Sequence, residues 1–230
     1  MSEILVKDKE IVVPGEILAK GMDFLPAGGA IREGEDIVAC RLGLISVDNR
    51  LVKVIPLTGR YIPKSGDMIV GEIAEVGLNG WRVAFGWAFQ ANISLKDGSN
   101  DYIERGADLK RYYTHGDLVV GKIVKIAGPK IIDLTMKGPG LRKLGPGRVI
   151  EINPQKVPRV IGKAGSMISM IKEHTDCNMI VGQNGKVWLS GKDPKKEALA
   201  VEAIRMIEEQ SHVSGLTDAV KKFLEKEAKK

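Results

Sequence analysis

Residues 149–191 read VIEINPQKVPRVIGKAGSMISMIKEHTDCNMIVGQNGKVWLSG, and the pattern of this segment predicts the fold of the C-terminal part of the chain. A short strand pattern at 148–152 precedes the segment Gly162-Lys163-Ala164-Gly165, and a helical pattern with apolar residues at one-turn spacing follows it. Two apolar runs then flank Asn184-Gly185, a dipeptide typical of β-hairpins because both residues tolerate positive φ. A further helix begins near Pro194. The pattern predicts the order β-α-GxxG-α-β-β-α.

This order resembles a KH domain of type I, a module that reads single-stranded RNA. Two glycines two residues apart let a backbone approach a phosphodiester, and the amides of Ser166 and Met167 begin a helix that would point at the phosphates. Lys163 adds a cation to the same turn. A lone GxxG favours an ordinary turn between helices, but here the flanking pattern extends over more than forty residues and favours the KH domain. The candidate RNA contacts in this module are Gly162, Lys163, Ala164, Gly165 and the nearby Arg159.

Positive charge is concentrated in the middle of the 230-residue chain. Residues 105–172 hold 14 lysines and arginines against 4 acids, whereas residues 1–104 hold 11 against 15, and the net charge of the whole chain is +6. A clustered basic region is typical of a protein that binds a polyanion. The alternative is a solvated surface that is rich in lysine.

The composition favours several small β-rich modules over one large α/β enzyme, because glycine is frequent (27 residues) and aromatic residues make up only 5%. No apolar run is long enough to span a bilayer, and the N-terminal residues lack the pattern of a signal peptide. We therefore expect a cytoplasmic protein without a membrane partner. Cys40 and Cys177 lie in different predicted modules and are expected to be buried thiols that form no disulfide.

Residues 1–63 form the first predicted module, in which short apolar runs alternate with turns such as Pro14-Gly15 and Asp48-Asn49. The pattern predicts a small β-module that resembles a barrel-sandwich fold. It contains no histidine, no paired carboxylates at a plausible site and no phosphate-binding loop. We therefore expect a structural or docking role for it.

Residues 64–137 contain an internal repeat, in which GDMIVGEI at 66–73 matches GDLVVGKI at 116–123. Each copy begins with a turn and continues as a strand, and an inner glycine in such a strand permits the bends that close small barrels. Five strand patterns in this region resemble an S1 domain, the OB-type barrel of many RNA-binding proteins. Asn92 occupies the position where such domains often carry a histidine.

The aromatic residues of this barrel are candidates for stacking on bases, namely Trp81, Phe85, Trp87 and Phe89. Strand alternation puts Trp81, Val83 and Phe85 on one face, which favours a place in the core for at least some of them. The basic side chains are the preferred RNA contacts in this module: Arg105, Lys110, Arg111, Lys122, Lys125 and Lys130.

Residues 138–147 are rich in Gly and Pro and read as a linker, and residues 148–230 form the KH module with a charged amphipathic helix at its end. We expect Trp188 in the core or at a subunit contact. The apolar wall of the base-binding groove is predicted to be Val160, Ile161, Ile168 and Ile180.

The fold class is therefore multidomain, mainly β and then α+β: a barrel-sandwich-like β-module, a five-stranded S1 barrel and a KH domain. This order resembles the RNA-binding cap subunit of the archaeal exosome, the ribosomal-RNA-processing protein four family. The resemblance is carried by VVPGE at 12–16, GRYIP at 59–63 and GQNGKVW at 182–188.

Membership of that family implies a subunit that is not an enzyme and has neither catalytic residues, nor a metal, nor a cofactor. Three copies would cap a hexameric ring of two kinds of phosphorolytic exoribonuclease-type subunits, with another cap subunit as a further partner. The N-terminal modules would dock on the ring. The S1 and KH domains would capture single-stranded, adenine-rich RNA and feed its 3′ end inward for 3′-to-5′ degradation and processing.

Two other functions compete with this one. A metal-dependent nuclease clusters carboxylates around Mg²⁺, but the basic region offers only Asp108, Asp117, Asp133 and Glu151, and the three histidines are scattered. A free-standing S1–KH factor in translation or ribosome assembly would carry the same modules without a ring.

The charge distribution predicts that RNA binding weakens steeply with salt, because each neutralised phosphate releases roughly one counterion. The measurement is the binding constant for a single-stranded oligonucleotide at several salt concentrations. A flat response would contradict a role for the basic region.

Overall fold

The computed structural model describes residues 2–86, 89–127, 131–211, 213 and 215–227. The chain forms two compact units, one up to Arg60 and one from Tyr61 onward.

The first unit consists of two four-stranded sheets, ordered β1-β3-β6-β5 and β2-β7-β8-β4. Its strands are β1 (Glu3–Ile4), β2 (Ile11–Val12), β3 (Ile17–Lys20), β4 (Leu25–Ala27), β5 (Ala30–Glu33), β6 (Asp36–Ala39), β7 (Gly43–Asp48) and β8 (Leu51–Pro56). The pairing of β4 with β8 is parallel and the others are antiparallel. Apolar side chains such as Leu18, Ile37 and Ile45 fill the core. The predicted N-terminal β-module is confirmed.

The second unit begins with a closed barrel of five strands. The strands are β9 (Met68–Val76), β10 (Gly80–Gly86), β11 (Phe89–Ser94), β12 (Leu118–Ala127) and β13 (Ile131–Thr135). They pair in the order β13-β11-β10-β9-β12, and β12 also pairs with β13, so that the sheet has no open edge between them. A short 3-10 helix at Leu109–Arg111 lies in the connection between β11 and β12. The five-stranded S1-type barrel is therefore confirmed.

The two copies of the sequence repeat pair with each other, since β9 and β12 are antiparallel neighbours with Val70 opposite Val120. The backbone bonds at their starts are reciprocal. The amide of Gly66 donates to Ile123 and the amide of Gly116 donates to Ile73. The inner glycine of the first copy allows close packing, because a Cβ on Gly71 would lie 2.4 Å from Cγ1 of Val83.

The C-terminal module has the predicted KH order. After β14 (Arg142–Lys143) come β15 (Arg148–Glu151), α1 (Val157–Ile161), α2 (Ser166–Thr175), β16 (Asn178–Val181), β17 (Lys186–Ser190), α3 (Pro194–Glu209) and α4 (Leu216–Glu227). The three strands β15 to β17 form an antiparallel sheet ordered β15-β17-β16. One face of this sheet packs with the helices in a single apolar core that includes Ile150, Val187 and Ile204.

The other face of the KH sheet packs on the barrel. Val70 and Val120 of the barrel form one buried cluster with Leu144 and Trp188. Trp188 therefore lies at the joint between the two domains, and its indole Nε1 has no hydrogen-bond partner in the described part of the chain.

The turn between β16 and β17 fastens the KH domain to strand β9. The Asn184 side chain donates to the carbonyls of Val70 (2.8 Å) and Phe85 (2.6 Å) and accepts from the amide of Val70 (3.2 Å). The amide of Gln183 donates to the carbonyl of Met68 at 2.8 Å. Since the pairing of β10 with β9 reaches only as far as Glu72, the turn satisfies the backbone groups that β10 leaves open.

The predicted linker at 138–147 is itself hydrogen bonded to the barrel. Strand β14 pairs with Val119 and Val120 of β12, and the amide of Leu144 donates to the carbonyl of Leu118. The Lys143 ammonium lies 2.5 Å from the Asp117 carboxylate. The segment therefore connects the two domains along the barrel wall.

Replacing Asn184 with alanine is expected to lower the free energy of unfolding by on the order of 3 kcal/mol, because it leaves buried backbone groups of β9 and β10 without partners. The measurement is urea unfolding followed by tryptophan fluorescence. Gln183→Ala is the matched control, because the Gln183 side chain makes no hydrogen bond to any described residue. Equal midpoints for the two variants would contradict the role of the Asn184 amide.

Candidate nucleic-acid interface

The GxxG loop is a strained connection between two helices. Helix α1 ends at Ile161, and Gly162 (φ 76°), Ala164 (φ 51°) and Gly165 (φ 81°) all have positive φ. A Cβ on Gly162 would lie 2.7 Å from the backbone nitrogen of Met167, so only glycine fits there. This geometry leaves Lys163 and Ala164 exposed at the tip, directly before α2.

Three of the predicted site residues of the KH domain line one cavity of about 520 Å³: Arg159, Gly162 and Lys163. Ser166 and the first residues of α4 complete its wall. Both basic side chains are exposed, and neither forms an ion pair within the described ranges. They are available to an anionic ligand in front of the first turn of α2.

The structure places the four residues predicted for the apolar wall of the base-binding groove in three different environments. Val160 is fully buried in the KH core, while Ile161 and Ile168 are half-buried against it. Ile180 packs with the cluster that joins the KH domain to the barrel. Strand β16 points Ile180 away from the helices because side chains alternate along a strand, which rules it out as a groove residue.

On the barrel, one row of polar side chains crosses the strands. In register, Glu75 lies opposite Arg82, Arg82 opposite Asn92, Asn92 opposite Asp133, and Asp133 opposite Lys125. Arg82 and Glu75 form an ion pair of 2.6 Å. The predicted contact Lys125 therefore stands next to a carboxylate, and this row, which lines a cavity of about 490 Å³, is nearly balanced in charge.

The remaining predicted barrel contacts are distributed over several elements of the barrel. Lys110 and Arg111 lie on the 3-10 helix, where Arg111 is 3.7 Å from Asp108. Lys122 is exposed on β12. Arg105 lines a second cavity, which shares Asn79 and Ser94 with the first one. Lys130 lies outside the described residues.

The aromatic candidates are mostly core residues. Trp81 and Phe85 are buried, and Phe89 is half-buried and stacked on Phe85 with ring centroids 6.2 Å apart. Trp87 lies outside the part of the chain that is described. The aromatic residue that sequence reasoning missed is Tyr102, whose side chain is 84% exposed. Its only signal was its position in a polar loop of the S1-like module.

The titratable groups near these surfaces have structural partners. Burial works to raise the pKa of Asp117, but hydrogen bonds from Lys143 and Thr114 outweigh it and hold that pKa below its ordinary value. Burial raises the pKa of the Cys177 thiol. Nδ1 of His174 lies 2.9 Å from the carbonyl oxygen of Met170. No group of three or more His, Cys, Asp or Glu side chains suited to a metal occurs among the described residues.

No helix in the described ranges is both long and apolar enough to cross a membrane.

A family model described as a KH domain matches residues 147–195. The chain is 43% identical to the exosome complex component Rrp4 of Thermococcus kodakarensis. The alignment covers 97% of this chain and 88% of that protein. The chain belongs to the Rrp4 family. Rrp4 of Pyrococcus horikoshii is 41% identical (97% and 85% covered), and Rrp4 of Thermofilum pendens is 40% identical (96% and 95%).

A solved structure agrees with this membership in Rrp4. It is a crystal structure described as that of an exosome complex RNA-binding protein, whose sequence is 34% identical to this chain. The TM-score is 0.66, and the match covers 74% of this chain and 98% of that one.

Replacing the loop cation of this Rrp4-family chain by Lys163→Glu is expected to weaken single-stranded RNA binding on the order of tenfold, because an anion then faces the phosphates. Fluorescence anisotropy with a labelled oligonucleotide measures it. Lys172→Glu changes the charge equally at the far end of α2 and is the control. Equal losses for both variants would mean that the loop makes no specific contact.

Proposed function

We propose that the chain is a non-catalytic RNA-binding subunit of an exosome that acts in the cytoplasm. Three copies cap a hexameric ring of two phosphorolytic exoribonuclease-type subunits, together with another cap subunit. The cap captures single-stranded, adenine-rich RNA and feeds 3′ ends into the ring for 3′-to-5′ degradation and processing. The observation that carries the proposal is the pairing of an S1 barrel with a KH domain in one compact unit, in a chain of the Rrp4 family.

RNA capture is supported by the exposed cations of both domains. Lys163 lies in the GxxG loop and Arg159 lines the same cavity, and Arg105, Lys110 and Lys122 are exposed on the barrel. Each contact alone is weak, because surface charges are screened by salt. Three copies on one ring raise the effective concentration of a bound strand at the next site, so that weak contacts combine.

Docking by the N-terminal module is supported by an exposed apolar row on its second sheet. Ile11 lies opposite Leu44, and Leu44 lies opposite Ile55, so the three side chains share one face. Ile11 is 60% exposed and Ile55 is 50% exposed. Val13 directly follows β2 and Leu42 directly precedes β7, and both are also exposed. A contiguous apolar surface of this kind is typical of a protein contact.

The proposal predicts that the tagged chain co-purifies from native extract with two ring subunits, in an assembly whose mass fits three copies of the chain. That assembly should degrade RNA only when inorganic phosphate is present. The purified chain alone should bind RNA and leave it intact, with or without Mg²⁺ and phosphate.

This experiment compares the double variant Ile11→Lys and Ile55→Lys with a control, the single variant Met22→Lys. The double variant places two charges in the apolar row and is expected to release the chain from the ring while RNA binding is kept. The control adds a charge at a residue that is 68% exposed outside the strands. A lone monomer that binds RNA would instead support the free-standing factor, and turnover by the pure chain would overturn the non-catalytic role.

A further inference from the structure

Tyr102 is an exposed aromatic side chain held in a fixed position. Its side chain is 84% exposed, while the next residue, Ile103, is only 4% exposed and belongs to the barrel core. Leu109 and Tyr113, further along the same connection, are also buried in this core. These buried residues anchor the backbone that follows Tyr102, so the ring of Tyr102 is displayed by an anchored segment.

The anchoring of this connection depends on Trp81. Its indole Nε1 donates to the carbonyl of Tyr113 at 3.2 Å, and the Tyr113 hydroxyl donates to the carbonyl of Gly98 at 2.7 Å. A Cβ on Gly98 would lie 2.4 Å from the indole ring, so the chain passes directly against it. Trp81, which is a candidate for base stacking in the sequence, therefore supports the connection that carries Tyr102.

A cavity of about 630 Å³ lies beside Tyr102 and is rich in positive charge. Lys96, Arg105 and Lys137 line it against one carboxylate, that of Asp101. None of the three cations forms an ion pair with any residue that the structure describes. An aromatic face next to unpaired cations is the combination with which proteins hold a nucleotide of a single strand: the ring stacks on the base and the cations meet the phosphates.

We infer that Tyr102 stacks on a base of single-stranded RNA and that Lys96, Arg105 and Lys137 contact the phosphates beside that base. This inference rests on the proposed RNA-binding function and adds a specific subsite to it. The cavity beside Tyr102 shares Asn79 and Ser94 with the cavity that the balanced polar row of the barrel lines. A single strand of RNA that crosses the barrel surface therefore meets a net positive charge at the cavity beside Tyr102.

The test is the affinity of the purified full chain for a labelled single-stranded oligonucleotide, measured by fluorescence anisotropy. Tyr102→Ala is expected to weaken binding about 10- to 100-fold, because it removes the stacking surface. Tyr102→Phe keeps the ring and is expected to bind within about twofold of the natural chain. Leu78→Ala is the control, because Leu78 is 92% exposed and does not line this cavity.

A second oligonucleotide set, in which single positions lack their base, separates stacking from phosphate contact. For the natural chain, removal of the stacked base is expected to cost the same factor as Tyr102→Ala. In the Tyr102→Ala variant the same removal should have no further effect. If both losses add in full, the base does not meet Tyr102 and the inference is wrong.

The outcomes distinguish this inference from the proposed function. If the natural chain binds RNA and a folded Tyr102→Ala variant binds it with equal affinity, the proposed subsite is wrong and the proposed function still stands. An equal loss in Tyr102→Phe also overturns it, since the hydroxyl would then be the contact. If the natural chain binds no RNA, both the subsite and the RNA-binding function fail. The thermal midpoint of each variant verifies that it is folded.

Discussion

The amide side chain of Asn184 connects the barrel to the KH domain, and the arrangement of the second unit depends on it. Strand β10 leaves β9 at Glu72, which exposes the amide and carbonyl of Val70 on that edge. A carboxamide carries a donor and an acceptor side by side, as a peptide group does, and can therefore replace the missing strand. Gly182 lets the turn approach, since a Cβ there would lie 2.7 Å from the nitrogen of Val70. Around these bonds, Trp188 and Leu144 exclude water.

This joint determines how the two domains present the groups proposed to contact RNA. Strand β14 and the Lys143–Asp117 ion pair hold the connecting segment against the barrel. A ligand that contacts both domains does not have to order a flexible connection, and the entropy cost of such ordering is avoided. The GxxG loop has the same property on a smaller scale, because its positive φ values are already set in the free protein.

Local signals in the sequence were sufficient to predict the barrel and the KH domain, but not the contacts within and between them. The repeated Gly-Asp turns and the GxxG segment predicted the barrel and the KH domain, because both depend on short-range patterns. Asn184-Gly185 predicted a hairpin correctly, but only Gly185 has positive φ, and the asparagine is used for the barrel instead. Alternation placed Trp81 and Phe85 on one face without showing that this face is the interior. Tyr102 has no periodic signal, because its exposure results from its buried neighbours. The Gly-Pro composition of residues 138–147 predicted a linker and carried no signal that Leu144 within it is buried.

The hydrogen bonds of Asn184 also impose an order of events during synthesis. Their partner Val70 precedes Asn184 by 114 positions in the chain. A ribosome therefore releases every strand of the barrel before the KH turn exists, and the barrel can close first because its strands are close in sequence. Until residues 182–188 emerge, the edge of β9 at Val70 and the apolar surface around Val120 remain open to water. The nascent barrel thus has an unpaired strand edge, which is covered only when the KH turn of the same polypeptide is synthesised. Translation past Trp188 is therefore the step that protects this edge from pairing with other chains.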